Sequence, residues 1–517
     1  MTPKIILIHP PVAKCSEPPA GLARLSAYLT AHHIGHELID ANLEGILFLL
    51  QQTSNHNIAT DSWTRRATTH QAQNLAALKV MATYQSPSRY QRAVMDINRL
   101  LSVAGKKKKI KLSLADYQDE NLAPVKSSDI MAAAERPQYN PFYSYFQKRL
   151  TSALHADPEF IGFSVNYLSQ ALCAFAMTGL VKQMNPRQKI IMGGSLITSW
   201  MKLGVHKGMF GGLVDELVEG EGEKKLLEIL GIQDVQIQST PAYDDFPLNQ
   251  YLSPGLIIPY SSARGCYWHQ CAFCPEKAEG NAYQPLGVSR AINELQTLTC
   301  QMNPALIHLL DSSISPSLLR ALSERPPGAP WYGFARITDH LADEDFCFAL
   351  KQSGCVMLKL GIESGDQHIL DRLNKGITLS TVSEVLNNLK KAGIATYGYF
   401  LFGTPPENEE RALKTMEFVL RHHQCIDFLN LAIFNLPARS AEVQGLSTYD
   451  FYEGNLSLYR NFKHPLGWNR PAVRHFLEKI FKKHSAIAPI VRRTPDFFTS
   501  NHAPFFVLMN QNTKDRL

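Results

Sequence analysis

Two successive runs of alternating strand-like and helix-like segments constrain the fold of this chain more than any other feature. In the first, KIILIHPP is a short apolar stretch stopped by two prolines, GLARLSAYLTAHHIG carries apolar residues at helical spacing up to a glycine, and HELIDANLEG reads as a second strand and turn. FIGFSVNY, QALCAFAMTGLVKQM, KIIMGGSLITSW and GGLVDELVEGEGEKKLLEILG continue as strand, helix, strand, and a final strand leading into a helix. A helix between two strands returns the chain to the same end of the sheet, so the strands pair in parallel. The pattern predicts an α/β, doubly wound (Rossmann-like) domain over 1–235, with its ligand site at the carboxyl ends of the strands.

Residues from about 50 to 150 interrupt this domain: Gln, Ala, Ser and Lys rise, and apolar residues fall into weak helical spacing. They predict a helical insertion with a loop around SPSRY and the lysine run GKKKKIK at 105–111, which reads as a solvated face. Residues 236–254, rich in Pro, Asp and Ser, read as a linker. The second run follows: IIPYSSARG, ALIHLLDSS, WYGFARI, VMLKLGIESG, IATYGYFLFG and FLNLAIFNL, with helical stretches between most of them. Six such units predict a full or partial (β/α) TIM barrel over 255–440, with its chemistry at the carboxyl ends of the strands. The mixed, aromatic and basic residues 441–517 read as a helical C-terminal cap.

Composition narrows the class. A chain of 517 residues, 45% hydrophobic and 19% charged, is a folded protein of several domains, neither disordered nor fibrous. It holds no run of about 18 uncharged apolar residues and its start lacks a signal peptide's apolar core, which predicts a cytoplasmic protein with no membrane partner. A net charge of +6 is well short of a surface built to coat phosphates, so nucleic acid is not the expected partner. Of nine cysteines, six (Cys15, Cys173, Cys300, Cys347, Cys355, Cys425) are scattered, which is no disulfide framework.

The other three crowd one stretch, RGCYWHQCAFCP, directly after the first barrel strand. Cys266, Cys271 and Cys274 have the spacing C-x4-C-x2-C and no fourth cysteine nearby. Such a loop can hold three corners of a cubane iron–sulfur cluster and leave the fourth iron open to a substrate or cofactor. A zinc site completed by a residue such as His269 is the alternative reading; a non-catalytic, metal-stapled binding protein is a more remote one.

Three cysteines at this place, with the aromatic Phe273 just before the last, resemble the radical S-adenosylmethionine (SAM) enzymes. Their commonest spacing is C-x3-C-x2-C, and this chain has one extra residue in the first gap. Further segments match in chain order. LLDSS brings Asp311 and Ser312 to the end of the second strand, and the resemblance implies that they face the methionyl part of SAM. GFARI brings Arg336 to the third, a planar fork suited to a carboxylate. LGIESG brings Glu363 to the fourth as an acceptor for the amino group or ribose, and FLFGTPPE brings Gly403 to a turn beneath the adenine. Taken singly, each has a plain structural reading as a helix cap, ion pair or turn.

The first domain is similar to the cobalamin-binding domain that precedes the barrel in one branch of that superfamily. The likeness implies that Ser164, Gly193 and Gly194 line a pocket for the nucleotide tail, since glycine lets the backbone approach a bulky ligand. Asp40, Asn42 and Gly45 reproduce the spacing of the Asp-x-His-x-x-Gly motif with Asn for His, but after the second strand; the match reads as accidental, and the sequence names no axial histidine. The resemblance implies a [4Fe-4S] cluster, SAM cleaved to a 5′-deoxyadenosyl radical, cobalamin, and an external electron donor such as a flavodoxin or ferredoxin. The expected reaction is methylation of an unactivated carbon on an unknown small-molecule or peptide substrate. Cyclisation or rearrangement, and more remotely RNA modification, are the alternatives.

Overall fold

The structure, a computed structural model, describes residues 3–55, 61–233, 239–494 and 502–507. The chain forms two compact units: one holds the residues up to 256 and takes back 452–458, and the other holds Ile257–Phe451 and continues from Tyr459.

The first unit opens with β1 (Ile5–Ile8), α1 (Ala20–Ala31), β2 (His36–Ile39) and α2 (Ala41–Asn55). The turn expected after β2 is instead a helix start: Asp40 Oδ1 accepts from the Leu43 amide at 3.0 Å, one of the donors a first turn leaves unmet. Next come the inserted elements α3 (Ser62–Thr69), α4 (Gln71–Leu78), α5 (Pro87–Lys106), β3 (Ile110–Leu112), β4 (Tyr117–Asp119), α6 (Ser127–Glu135) and α7 (Tyr143–His155). SPSRY is not a loop but the start of α5, because Pro87 at the first helical position presets φ and lacks an amide that would have no partner there. The insertion is helical as expected apart from the β3–β4 hairpin, whose three-residue strands are too short to show a period. Lys106–Lys109 lie exposed at the turn between α5 and that hairpin.

The unit closes with β5 (Phe160–Ser164), α8 (Leu168–Met184), β6 (Lys189–Gly193), α9 (Ser195–Lys202), β7 (Glu216–Leu217) and α10 (Gly222–Ile229). The sheet order is β2-β1-β5-β6-β7 and all pairs are parallel, so the direction of winding reverses between β1 and β5. The described part of the segment read as a linker packs on this unit, with Tyr243, Phe246, Tyr251 and Leu252 buried and the Leu252 amide donating to Cys15 O at 2.9 Å.

The second unit runs β8 (Ile257–Tyr260), β9 (Ala263–Arg264), α11 (Pro275–Ala278), β10 (Gln284–Pro285), α12 (Val288–Met302), β11 (Leu306–Ile314), α13 (Pro316–Glu324), β12 (Trp331–Ala335), α14 (Asp339–Ala342), α15 (Glu344–Gln352), β13 (Cys355–Glu363), α16 (Gln367–Arg372), α17 (Leu379–Ala392), β14 (Ala395–Phe402), α18 (Glu409–His422) and β15 (Phe428–Ile433). Its parallel sheet has the order β15-β14-β13-β12-β11-β8 and contains the six strands read from the sequence. It is a partial barrel, because β8 and β15 do not pair. The helices bury one apolar stripe each, such as Val382, Val385, Leu386 and Leu389 of α17, every such side chain contributing roughly 1.5–3 kcal/mol.

Beyond the barrel, β16 (Leu436–Pro437), β17 (Thr448–Asp450) and β18 (Tyr459–Phe462) make a small antiparallel sheet. The cap turns helical from α19 (Arg470–His475), through a π-helical turn at Phe476–Ile480, to α20 (Ala488–Arg493). No helix among the described residues is long and apolar enough to cross a membrane.

Candidate functional site

In the second unit the residues singled out in the sequence lie at or near the carboxyl ends of the barrel strands. β9 and β10 pair through two residues each, and the hairpin they form carries the cysteine loop. Cys266, Cys271 and Cys274 are free thiols, each partly exposed. Burial pushes the Cys271 thiol up, while Lys375 and Arg336 nearby draw it back. Burial pushes Cys274 up to about 11, opposed by the Lys277 and Glu276 amides at the start of α11. A metal must therefore displace protons to bind here.

Among the described residues no three or more His, Cys, Asp or Glu side chains converge to hold a metal ion. A zinc ion demands such convergence, whereas a cubane cluster takes each thiolate on a different iron. Three free thiols carried on one loop are a donor set that a cubane cluster can take.

The remaining expected residues lie around this loop. Phe273 is within it, and Lys375 Nζ stands 5.7 Å from its ring centre. Glu363 ends β13 with φ +67° and pairs through Oε1 with Lys375 Nζ at 2.9 Å. Arg336 directly follows β12; its Nη2 donates to the carbonyls of Lys375 and Gly376, and its guanidinium lies 3.7 Å above the Trp268 ring.

Asp311 lies inside β11, buried, and accepts from Ser262 Oγ at 2.7 Å and Ser262 N at 3.3 Å, so it ties the end of β8 to its neighbour. Burial raises its pKa against those bonds. Ser312 is exposed and donates to Glu276 Oε1 at 3.3 Å. Gly403, with φ +79°, ends β14 and gives its amide to Glu407 Oε2, which also accepts from Trp468 Nε1 at 3.0 Å.

Sequence reasoning gave no role to Trp268, to Lys375 or to Glu407. Glu407 has a local signal in the GTPPE turn; Trp268 has none, since it meets Arg336 and Asn374 from segments remote in the chain, and Lys375 has none, since its contacts with Glu363 and with the cysteine loop are made only in the fold.

In the first unit Ser164, Gly193 and Gly194 come together at the ends of β5 and β6, beside the switch point. Gly194 has φ +105°, and a Cβ there would sit 2.5 Å from Val165 O, so no other residue fits. Ser164 Oγ accepts from Asn166 Nδ2 at 3.2 Å. His9, past the end of β1, is a neighbour the sequence did not offer: it is buried and Gln170 Nε2 lies 3.4 Å from its ring nitrogens. Burial lowers its pKa, with Asp40 opposing, so the ring is held neutral. Asp40 and Asn42 serve the frame: Asp40 Oδ2 accepts from Tyr251 Oη at 2.6 Å and Asn42 Oδ1 from Ala13 N at 2.8 Å.

Comparison with known proteins agrees with this layout. Residues 260–419 match the Radical SAM superfamily. An uncharacterized methyltransferase of Pyrococcus horikoshii is 26% identical over 302 residues, covering 51% of this chain and 64% of that protein. The anaerobic magnesium-protoporphyrin IX monomethyl ester cyclase of Rubrivivax gelatinosus is 24% identical over 280 residues, covering 46% and 49%. The chain thus spans about half to two thirds of the length of these relatives. Among solved structures, the radical SAM methyltransferase TsrM of Kitasatospora setae, determined with cobalamin and a [4Fe-4S] cluster bound, superposes with a TM-score of 0.54 over 97% of this chain and 90% of that one, at 14% identity. The chain thus carries a radical SAM domain over residues 260–419, with the cysteine loop at the end of its first barrel strand, and shares its fold with TsrM.

Proposed function

We propose that this protein is a radical SAM enzyme that methylates an unactivated carbon with the help of cobalamin. The observation that carries the reading is the loop of three free, partly exposed thiols at the carboxyl end of β8. Cys266, Cys271 and Cys274 would hold a [4Fe-4S] cluster, and the ring of groups around them would receive SAM. When bound, these cofactors supply a 5′-deoxyadenosyl radical and a transferable methyl group.

The chain's own residues position and shield. Glu363, already oriented by Lys375, would accept from the amino group or ribose of SAM. Gly403, its amide held by Glu407, would form the turn beneath the adenine. Ser312, exposed on β11, faces outward where a polar contact is available. In the first unit, Ser164, Gly193 and Gly194 would line the cobalamin site at the carboxyl ends of β5 and β6. The substrate and the electron donor, a flavodoxin or ferredoxin, belong to the same proposal.

A cyclisation or rearrangement is the second reading, favoured by the likeness to the cyclase of Rubrivivax gelatinosus. Anaerobically reconstituted protein, incubated with hydroxocobalamin and desalted, tests the choice. Near one equivalent of retained cobalamin is expected; none retained would remove cobalamin-dependent methylation and leave the second reading.

A further inference from the structure

Four consecutive residues after α16, Leu373–Asn374–Lys375–Gly376, turn their carbonyls toward the cysteine loop and its clamp. Leu373 O accepts from Ala272 N at 2.9 Å, and Asn374 O accepts from Trp268 Nε1 at 3.1 Å. Lys375 O and Gly376 O both accept from Arg336 Nη2. Arg336 in turn covers the face of Trp268, so the indole is held at its edge by Asn374 and on its face by a cation.

Two backbone features are needed for this. Asn374 and Gly376 take φ +51° and +62°. A Cβ on Gly376 would lie 2.3 Å from Trp268 Cζ2, so the indole fits against bare backbone. Trp268 sits in the first gap of the motif, the gap that is one residue longer than usual.

The charges add a second role. Arg336 and Lys375 are the cations beside the cysteine loop, the guanidinium 3.7 Å from the Trp268 ring centre and Lys375 Nζ 5.7 Å from that of Phe273; both act on Cys271, and Glu363 is the anion that opposes them. Lys375 is matched by Glu363 at 2.9 Å; Arg336 meets carbonyls and the indole.

We propose that residues 373–376 and Arg336 form a cradle for the lengthened cysteine loop, in which Trp268 is the keystone and Arg336 is a positioning residue that favours the reduced state of the cluster. This rests on the reading that Cys266, Cys271 and Cys274 hold an iron–sulfur cluster. Reduction adds one electron, supplied by a low-potential one-electron donor, and makes or breaks no bond; a fixed cation beside a ligating sulfur stabilises the added negative charge.

The test uses the full chain, reconstituted anaerobically with iron and sulfide, with no SAM present. Iron per chain, the rate of iron loss to a chelator, and the midpoint potential by dithionite titration followed by electron paramagnetic resonance are measured. For Arg336→Gln the ratio of reduced to oxidised cluster at fixed potential is expected to fall about tenfold, equivalent to about 59 mV for one electron. Arg336→Lys keeps the charge and loses the planar fork, so it is expected to keep the potential while losing iron faster. Trp268→Ala is expected to lose iron about tenfold faster than wild type. Trp268→Phe keeps the stack without the Asn374 bond and falls between.

Wild-type protein that takes up no iron and sulfide would overturn the proposed function along with the cradle. Arg336→Gln protein with wild-type iron retention and potential, but weakened SAM binding, would overturn the cradle alone and return Arg336 to the role of carboxylate partner.

Discussion

Glu407 should make the stability of the second unit depend on pH. Its side chain is wholly buried behind the turn after β14; Oε2 accepts from Gly403 N and from Trp468 Nε1, and Oε1 has no partner. Burial pushes its carboxyl from an ordinary 4.5 up to about 8, because the two hydrogen bonds do not offset the lost hydration and Asp366 adds repulsion. The folded state therefore holds this proton more tightly than the unfolded state. The stability this confers is fully present below pH 4.5 and is lost as pH rises toward 8. At roughly 1.4 kcal/mol per tenfold change in proton affinity, the loss between pH 5 and pH 8 is on the order of 3–4 kcal/mol.

Glu407→Gln is neutral and keeps an oxygen for Gly403 N, so it should remove that slope. Urea unfolding of wild type and variant at several pH values, followed by tryptophan emission, should show the variant gaining on wild type by about that amount across the window. Trp468 reports directly: its emission should step near pH 8 in wild type and not in Glu407→Gln. Parallel pH profiles for the two proteins would refute the reasoning.

Alanine at Cys266, Cys271 or Cys274 should abolish formation of 5′-deoxyadenosine in anaerobic assays with SAM and dithionite; a Cys271→Ala protein that still makes it would overturn the proposed function. Gly194→Ala places a Cβ 2.5 Å from Val165 O at φ +105° and should destabilise the first unit by about 1–3 kcal/mol, with loss of cobalamin retention measured by absorbance after desalting. His9 has a lowered pKa in the fold, so the stability it confers is present above its ordinary 6.5 and should fall as pH drops below that value toward the folded pKa; His9→Gln should flatten this acid limb in urea titrations.

Much of the frame was legible. The period of the apolar runs located all six barrel strands and every strand of the first sheet, since burial on both faces of a parallel sheet writes a short apolar run into the sequence. The errors fell where local chemistry is ambiguous. SPSRY has the composition of a turn, yet Pro87 starts α5, and the stretch after β2 reads as a turn until Asp40 is seen to cap α2. Residues 236–254 have a linker's composition, but their described aromatic residues are buried against the first unit.

The site divides in the same way. Cysteine spacing is a local property, so the sequence alone located the cysteine loop, its place after the first barrel strand and the resemblance to the radical SAM enzymes. It also placed Arg336, Glu363 and Gly403 at strand ends, because strand ends follow from the apolar runs. The partners of these residues were decided by the fold. Arg336 lies on Trp268 and the carbonyls of Lys375 and Gly376, Glu363 pairs with Lys375, and Gly403 is held by Glu407. The physical reason is range: a ligand motif is fixed by residues in one loop, whereas the charge and hydrogen bonds around it come from side chains that meet only after neighbouring strands have paired.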